Sequence, residues 1–160
     1  MKLTGSCHCG AVTFSVETPE AVPYLRCYCS ICRKTAGSGG YGINIGARTD
    51  TLVVKGEDHI RRYHPATGET GTGATGASGR RFCGRCGSPL WNFDDRWPDF
   101  IHPHAGAIDG DLPVPPEHTH MMLGSAANWA EPHICDGDKT FEEYPDETLA
   151  DWHKRIGPST

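Results

Sequence analysis

Cysteine spacing constrains this chain more than any other feature. Seven of its eight cysteines fall into three tight groups. Cys7 and Cys9 form a C-x-C, Cys27, Cys29 and Cys32 a C-x-C-x-x-C, and Cys83 and Cys86 a C-x-x-C. Thiolates one or two residues apart can grip one metal ion from a single turn, and flanking glycines such as Gly10, Gly84 and Gly87 let the backbone close around the sulfurs. Two pairs make a closed tetrahedral set. Cys7, Cys9, Cys83 and Cys86 are therefore expected to hold a structural zinc that clamps the N-terminal strand to one far downstream. The remaining triplet supplies three ligands and leaves a position free, the pattern of a reactive zinc.

Other uses of the cysteines stay open. Four disulfides are one, but nothing at the N-terminus has the apolar run of a secretory signal, so a reducing, cytoplasmic location is expected and thiols there serve as metal ligands. A histidine or Cys135 would close the triplet as a Cys₃His or Cys₄ site. Cys29 and Cys32, ahead of a helix start, would also suit a redox pair. Cys135 itself is read as a spare thiol.

With 160 residues and 37% hydrophobic content, one domain spanning 1–160 with a modest core is expected. Gly 20 and Pro 12 favour a turn-rich, mostly β chain over a helical bundle. The net charge of −5 gives no bulk attraction to nucleic acid or anionic lipid, and no stretch is long and apolar enough to span a membrane.

Val12, Phe14 and Val16 alternate with Thr13 and Ser15, predicting a half-buried strand over Ala11–Val16. Tyr24–Tyr28 reads as a strand that delivers the triplet, followed by a short helical turn over Ile31–Thr35 that Ser30 would cap and Gly37 would stop. Leu52–Lys55 and His59–Tyr63 read as a hairpin across Gly56-Glu57-Asp58. Pro65–Gly79 reads as a surface loop. Strands are expected on both sides of the C-x-x-C, at Arg80–Phe82 and Leu90–Phe93, and later at Phe100–Gly106 and His118–Leu123. Pro145–Ile156 is the one clear helix, with Leu149, Trp152 and Ile156 as its apolar stripe.

Basic residues cluster at the cysteines: Arg26, Arg33 and Lys34 near the triplet, and Arg80, Arg81 and Arg85 near the C-x-x-C. They would offset thiolate charge or bind substrate carboxylates; Arg33, Lys34 and Arg81 are the candidates for the second role. His102/His104 and His118/His120 pair at strand spacing, each pair facing one side.

Gly5-Ser6-Cys7-His8-Cys9-Gly10, Cys27-Tyr28-Cys29-Ser30-Ile31-Cys32-Arg33-Lys34 and Arg81-Phe82-Cys83-Gly84-Arg85-Cys86-Gly87 together resemble the glutathione-dependent formaldehyde-activating enzyme family, which includes centromere protein V. Weaker similarity runs on through Gly106–Asp109, His120, Trp129 and Phe141–Pro145. The resemblance implies an Mss4-like fold of several coiled β-sheets with a short C-terminal helix. It also implies two Zn²⁺, structural on Cys7, Cys9, Cys83 and Cys86 and catalytic on Cys27, Cys29 and Cys32. The implied activity is that of a carbon–sulfur lyase that joins glutathione, or a similar small-molecule thiol, to formaldehyde or another small aldehyde. A zinc-stabilised thiol carrier or protein-binding module without turnover is the alternative. Ala126 stands where the family often carries a basic residue, and the stretch between His64 and Arg80 is long.

Overall fold

A computed structural model of the chain describes residues 1–65 and 79–157. In chain order its strands are β1 (Lys2–Ser6), β2 (Thr13–Glu17), β3 (Leu25–Cys27), β4 (Gly42–Ile43), β5 (Ala47–Arg48), β6 (Val53–Lys55), β7 (Ile60–Tyr63), β8 (Gly79–Cys83), β9 (Pro89–Phe93), β10 (Phe100–Pro103), β11 (Thr119–Met121) and β12 (Lys139–Thr140). Two helices accompany them, α1 (Ser30–Ala36) and α2 (Leu149–Ile156). The expected mostly-β architecture of several sheets with a short C-terminal helix is what forms.

Three sheets result. One has the order β1-β2-β6, one β5-β10-β9-β8-β7, and one β12-β11-β3-β4. The first two are antiparallel throughout. In the third, β11 runs parallel to both β3 and β12. The alternation foreseen around β2 holds: Val12, Phe14 and Val16 are buried and Thr13 is exposed. These side chains form the main core with Leu3, Ile45, Leu90, Trp91 and Ile101, which joins the first two sheets, and the Phe14 ring meets Trp91 edge-on at 5.2 Å. A second cluster buries Val22, Tyr24 and Trp152, and a third surrounds the triplet.

Several elements differ from expectation. β6 and β7 do not form a hairpin. Gly56 (φ 81°) and a 3₁₀ turn at Glu57–His59 pass the chain from one sheet to another, so Val54 pairs with Phe14 while Ile60 pairs with Cys83. The C-terminal helix starts at Leu149, not Pro145, because the Thr148 hydroxyl accepts the Asp151 N–H and caps it. The turn after the triplet is a second true helix, and its cap is Cys29 rather than Ser30: the Cys29 sulfur accepts the Cys32 N–H at 3.3 Å. β10 ends at Pro103, where a 3₁₀ turn at Ala105–Ala107 follows. The loop expected over Pro65–Gly79 lies, from 66 to 78, outside the described residues.

Candidate metal centres and cleft

The chain turns sharply after β1 and again after β8, and each turn carries one cysteine pair. Cys7 N–H donates to Val12 O and Gly10 N–H to Cys7 O; Cys83 N–H donates to Ser88 O and Gly87 N–H to Cys83 O. These matched turns bring the sulfurs of Cys7, Cys9, Cys83 and Cys86 within 4.8 Å of one another. Cys7 and Cys9 sulfurs are 3.6 Å apart and those of Cys9 and Cys83 3.8 Å. A tetrahedron with Zn–S bonds of about 2.3 Å has sulfurs about 3.8 Å apart, so this donor set fits a closed zinc. Backbone N–H groups already point at the sulfurs, from Val12 to Cys7 and from Arg85 to Cys83. The Ser88 hydroxyl, 3.2 Å from Cys86 Sγ, brings that thiol down to about 5. A donor aimed at sulfur favours the thiolate that a cation needs.

The triplet is built differently. Cys27 ends β3, Cys29 caps α1 and Cys32 lies one turn into it, and all three sulfurs are buried within 4.8 Å of one another. Among the described residues no histidine, carboxylate or fourth cysteine joins that group. Cys32 Sγ receives two side-chain donors, Asn44 Nδ2 at 3.8 Å and Arg80 Nη2 at 3.7 Å. Hydrogen bonds from Cys27 and Cys29, aided by the Arg80 charge and the Asn44 amide, hold Cys32 well below the ordinary thiol range. Cys27 is pushed far up, first by its contacts with Cys29 and Cys32 and then by burial. Three packed thiols thus share protons unevenly, and a divalent cation would displace those that remain.

The triplet opens into a cleft of about 730 Å³. Its lining includes the apolar Leu25, Ile31, Phe93, Met121 and Met122 and the polar Arg80, Asn44, Asn92 and His102. Met122 is the one non-glycine residue among those described with positive φ (62°), and this left-handed turn ends β11 at the cleft.

The matched turns and the triplet coincide with a known family. The model of the glutathione-dependent formaldehyde-activating enzyme family matches residues 2–124. The chain belongs to that family. It is 52% identical over 157 residues, 98% of each chain, to a Halomonas elongata protein provisionally named as a glutathione-dependent formaldehyde-activating enzyme. A crystal structure of a Rhodobacter sphaeroides protein superposes with a TM-score of 0.51 at 29% identity, over 71% of this chain and 92% of that one.

The seven cysteines anticipated for this glutathione-dependent formaldehyde-activating family member thus assemble as a four and a three. The anticipated substrate residues are dispersed. Arg33 and Lys34 stand on α1 and are not among the residues that line the cleft; Arg81 is buried and lines a smaller cavity of about 280 Å³ with Thr35, Tyr63 and His104. Cys135 is exposed. Sequence spacing passed over Asn44 and Asn92, and it grouped Arg80 with the C-x-x-C, whereas strand pairing brings its guanidinium to Cys32 of the triplet. It also missed Asp138 beside the second histidine pair. His120 Nε2 donates to Asp138 Oδ2 at 3.2 Å and its Nδ1 accepts the Tyr28 hydroxyl at 3.0 Å, so a buried Tyr–His–Asp chain braces the residue between Cys27 and Cys29. Burial would raise Asp138; the N–H groups of Cys135 and His118 and the His120 ring overcome it and lower the carboxyl. His104 is buried with neither ring nitrogen bonded among the described residues, and burial, then Arg80, lowers it to about 4, so it is a neutral imidazole.

Proposed function

We propose that this protein joins a small thiol, glutathione or one like it, to formaldehyde or another small aldehyde, as a carbon–sulfur lyase acting in the synthetic direction. The observation that carries this is the inequality of the two sulfur groups: four sulfurs close on themselves, whereas three line a large cleft. Cys7, Cys9, Cys83 and Cys86 would hold a structural zinc and Cys27, Cys29 and Cys32 a second one. Bound at the triplet, zinc supplies Lewis acidity toward a thiolate or a carbonyl oxygen. The chain's own part is to position and to exclude water. The apolar Leu25, Ile31, Met121 and Met122 of the lining shelter the reacting sulfur and carbon. Arg80 and Asn44 add their donors to those of Cys27 and Cys29 that favour the Cys32 thiolate. Because all eight cysteines are unpaired, this chemistry suits a reducing compartment such as the cytoplasm.

None of Arg33, Lys34 and Arg81 lines the cleft, so each would meet a carboxylate of the thiol substrate only where that substrate extends beyond it. Neutralising each in turn should raise KM for glutathione and leave KM for 2-mercaptoethanol unchanged. The deciding experiment pairs metal analysis with a rate assay. Two zinc ions per chain are expected, with a formaldehyde–thiol addition rate above the uncatalysed one that Cys29→Ser abolishes. A variant that keeps the rate would remove the enzyme; zinc-dependent thiol binding without turnover would make the protein a carrier.

A further inference from the structure

Arg80 on β8, Asn92 on β9 and His102 on β10 stand opposite one another in register. Residues paired in this way share one face of the sheet, and all three line the cleft beside the triplet. Two of them are half used. Arg80 Nη2 donates to Cys32 Sγ, but Arg80 Nη1 is buried without a partner among the described residues. Asn92 Nδ2 donates to Asn44 Oδ1 at 3.0 Å, but Asn92 Oδ1 is buried and accepts nothing from the described residues. A buried donor and a buried acceptor stand open on neighbouring strands, and one group that accepts from the first and donates to the second would satisfy both. A carbonyl or carboxylate oxygen only accepts. A hydroxyl does both.

Thiol–aldehyde addition makes such a hydroxyl. A sulfur lone pair forms the C–S bond and the carbonyl π pair moves to oxygen, giving RS–CH₂–O⁻. That oxygen then takes the proton the thiol gave up, so RSH and CH₂O yield RS–CH₂–OH with no oxidant or reductant. With the thiol–aldehyde chemistry above as its premise, we propose that Arg80 Nη1 and Asn92 Oδ1 bind this oxygen. Arg80 donates to it as negative charge develops, and Asn92 accepts from it once it is protonated. Arg80 also ties this position to the metal-binding triplet, since its other nitrogen donates to Cys32 Sγ at 3.7 Å. A permanently charged donor that is already fixed by that contact needs no reorganisation as the charge appears.

The test uses the full zinc-loaded chain and two unreactive thioethers, S-(2-hydroxyethyl)glutathione and S-ethylglutathione, compared by calorimetry. The wild type should bind the hydroxyl compound at least about tenfold more tightly. Arg80→Gln and Asn92→Leu should bring that ratio close to one, with zinc content and melting temperature as folding controls. In the rate assay Arg80→Gln should lower kcat/KM by about 10²-fold, equally for glutathione and for 2-mercaptoethanol, because the oxygen is common to both. Equal binding of the two thioethers by wild type overturns the proposal, as does a rate loss confined to glutathione, which would make Arg80 a carboxylate anchor. An amide of the tripeptide can also fill both partners, and it too would give equal binding. If Arg80→Gln does not fold, Asn92→Leu and the wild-type comparison decide. A wild type with no zinc-dependent rate for any thiol removes the premise itself, an outcome distinct from a rate without hydroxyl preference.

Discussion

Cys29 carries two duties in one side chain. Its sulfur belongs to the triplet and also accepts the Cys32 N–H that starts α1. Serine is a good helix cap but a poor soft ligand, so Cys29→Ser should keep the helical signal and lose the second metal equivalent, a separation checked by circular dichroism beside metal analysis. Gly56 is a stricter case. At φ 81° it turns the chain between two sheets, and a β-carbon there would overlap the carbonyl of Ala11. Gly56→Ala should cost about 2 kcal/mol or more in urea unfolding, from left-handed strain together with the overlap. The cysteines were legible because ligand spacing is a local property of one turn. Arg80, Asn92 and His102 were not grouped, because only the pairing of three strands aligns them, and no residue-to-residue spacing along the chain encodes that pairing.

At the level of elements, α2 shows how a stripe read correctly can still have the wrong start. Leu149, Trp152 and Ile156 do face the protein, and Trp152 is fully buried, stacked on Tyr24 with ring centroids 3.7 Å apart. Trp152→Ala should therefore cost about 3–5 kcal/mol, measured by denaturant unfolding. The residues ahead of Leu149 serve a different purpose. Glu147 takes hydrogen bonds from Arg155 and Lys139, which hold its carboxyl at about 2 instead of 4.5. Because the folded value is the depressed one, this contribution is complete above the ordinary carboxylate range and is lost as pH falls from about 4.5 through about 2. The melting-temperature gap between wild type and Glu147→Gln should then be largest near neutrality and shrink across that window. The Thr148–Asp151 cap that sets the helix start is a sequence signal in plain view, outweighed in the sequence by Pro145 and the acidic residues beside it. The β6–β7 hairpin failed for a tertiary reason: the two strands bury against different sheets, and a turn signal does not specify which neighbour a strand will choose.

For the molecule as a whole, the four-sulfur cluster is the tie between sheets. Cys7 and Cys9 follow the first strand of one sheet, while Cys83 ends β8 of another and Cys86 lies in its turn to β9. A structural zinc there would bring apparent binding energy on the order of 10–16 kcal/mol, comparable to or above the net stability of a domain. Cys83→Ser should fail to accumulate as folded protein, and a strong chelator should abolish the near-ultraviolet dichroism of the Phe14–Trp91 contact. The triplet's sheet has another property. β3 lies between β4, close by in the chain, and β11, with which it pairs in parallel, its register running Leu25 to Thr119, so one neighbour of the strand that presents Cys27 comes from far downstream. On the ribosome, the three thiols emerge well before β11 can cover them, and in that interval they lie bare to oxidants and to whatever metal the cell has free.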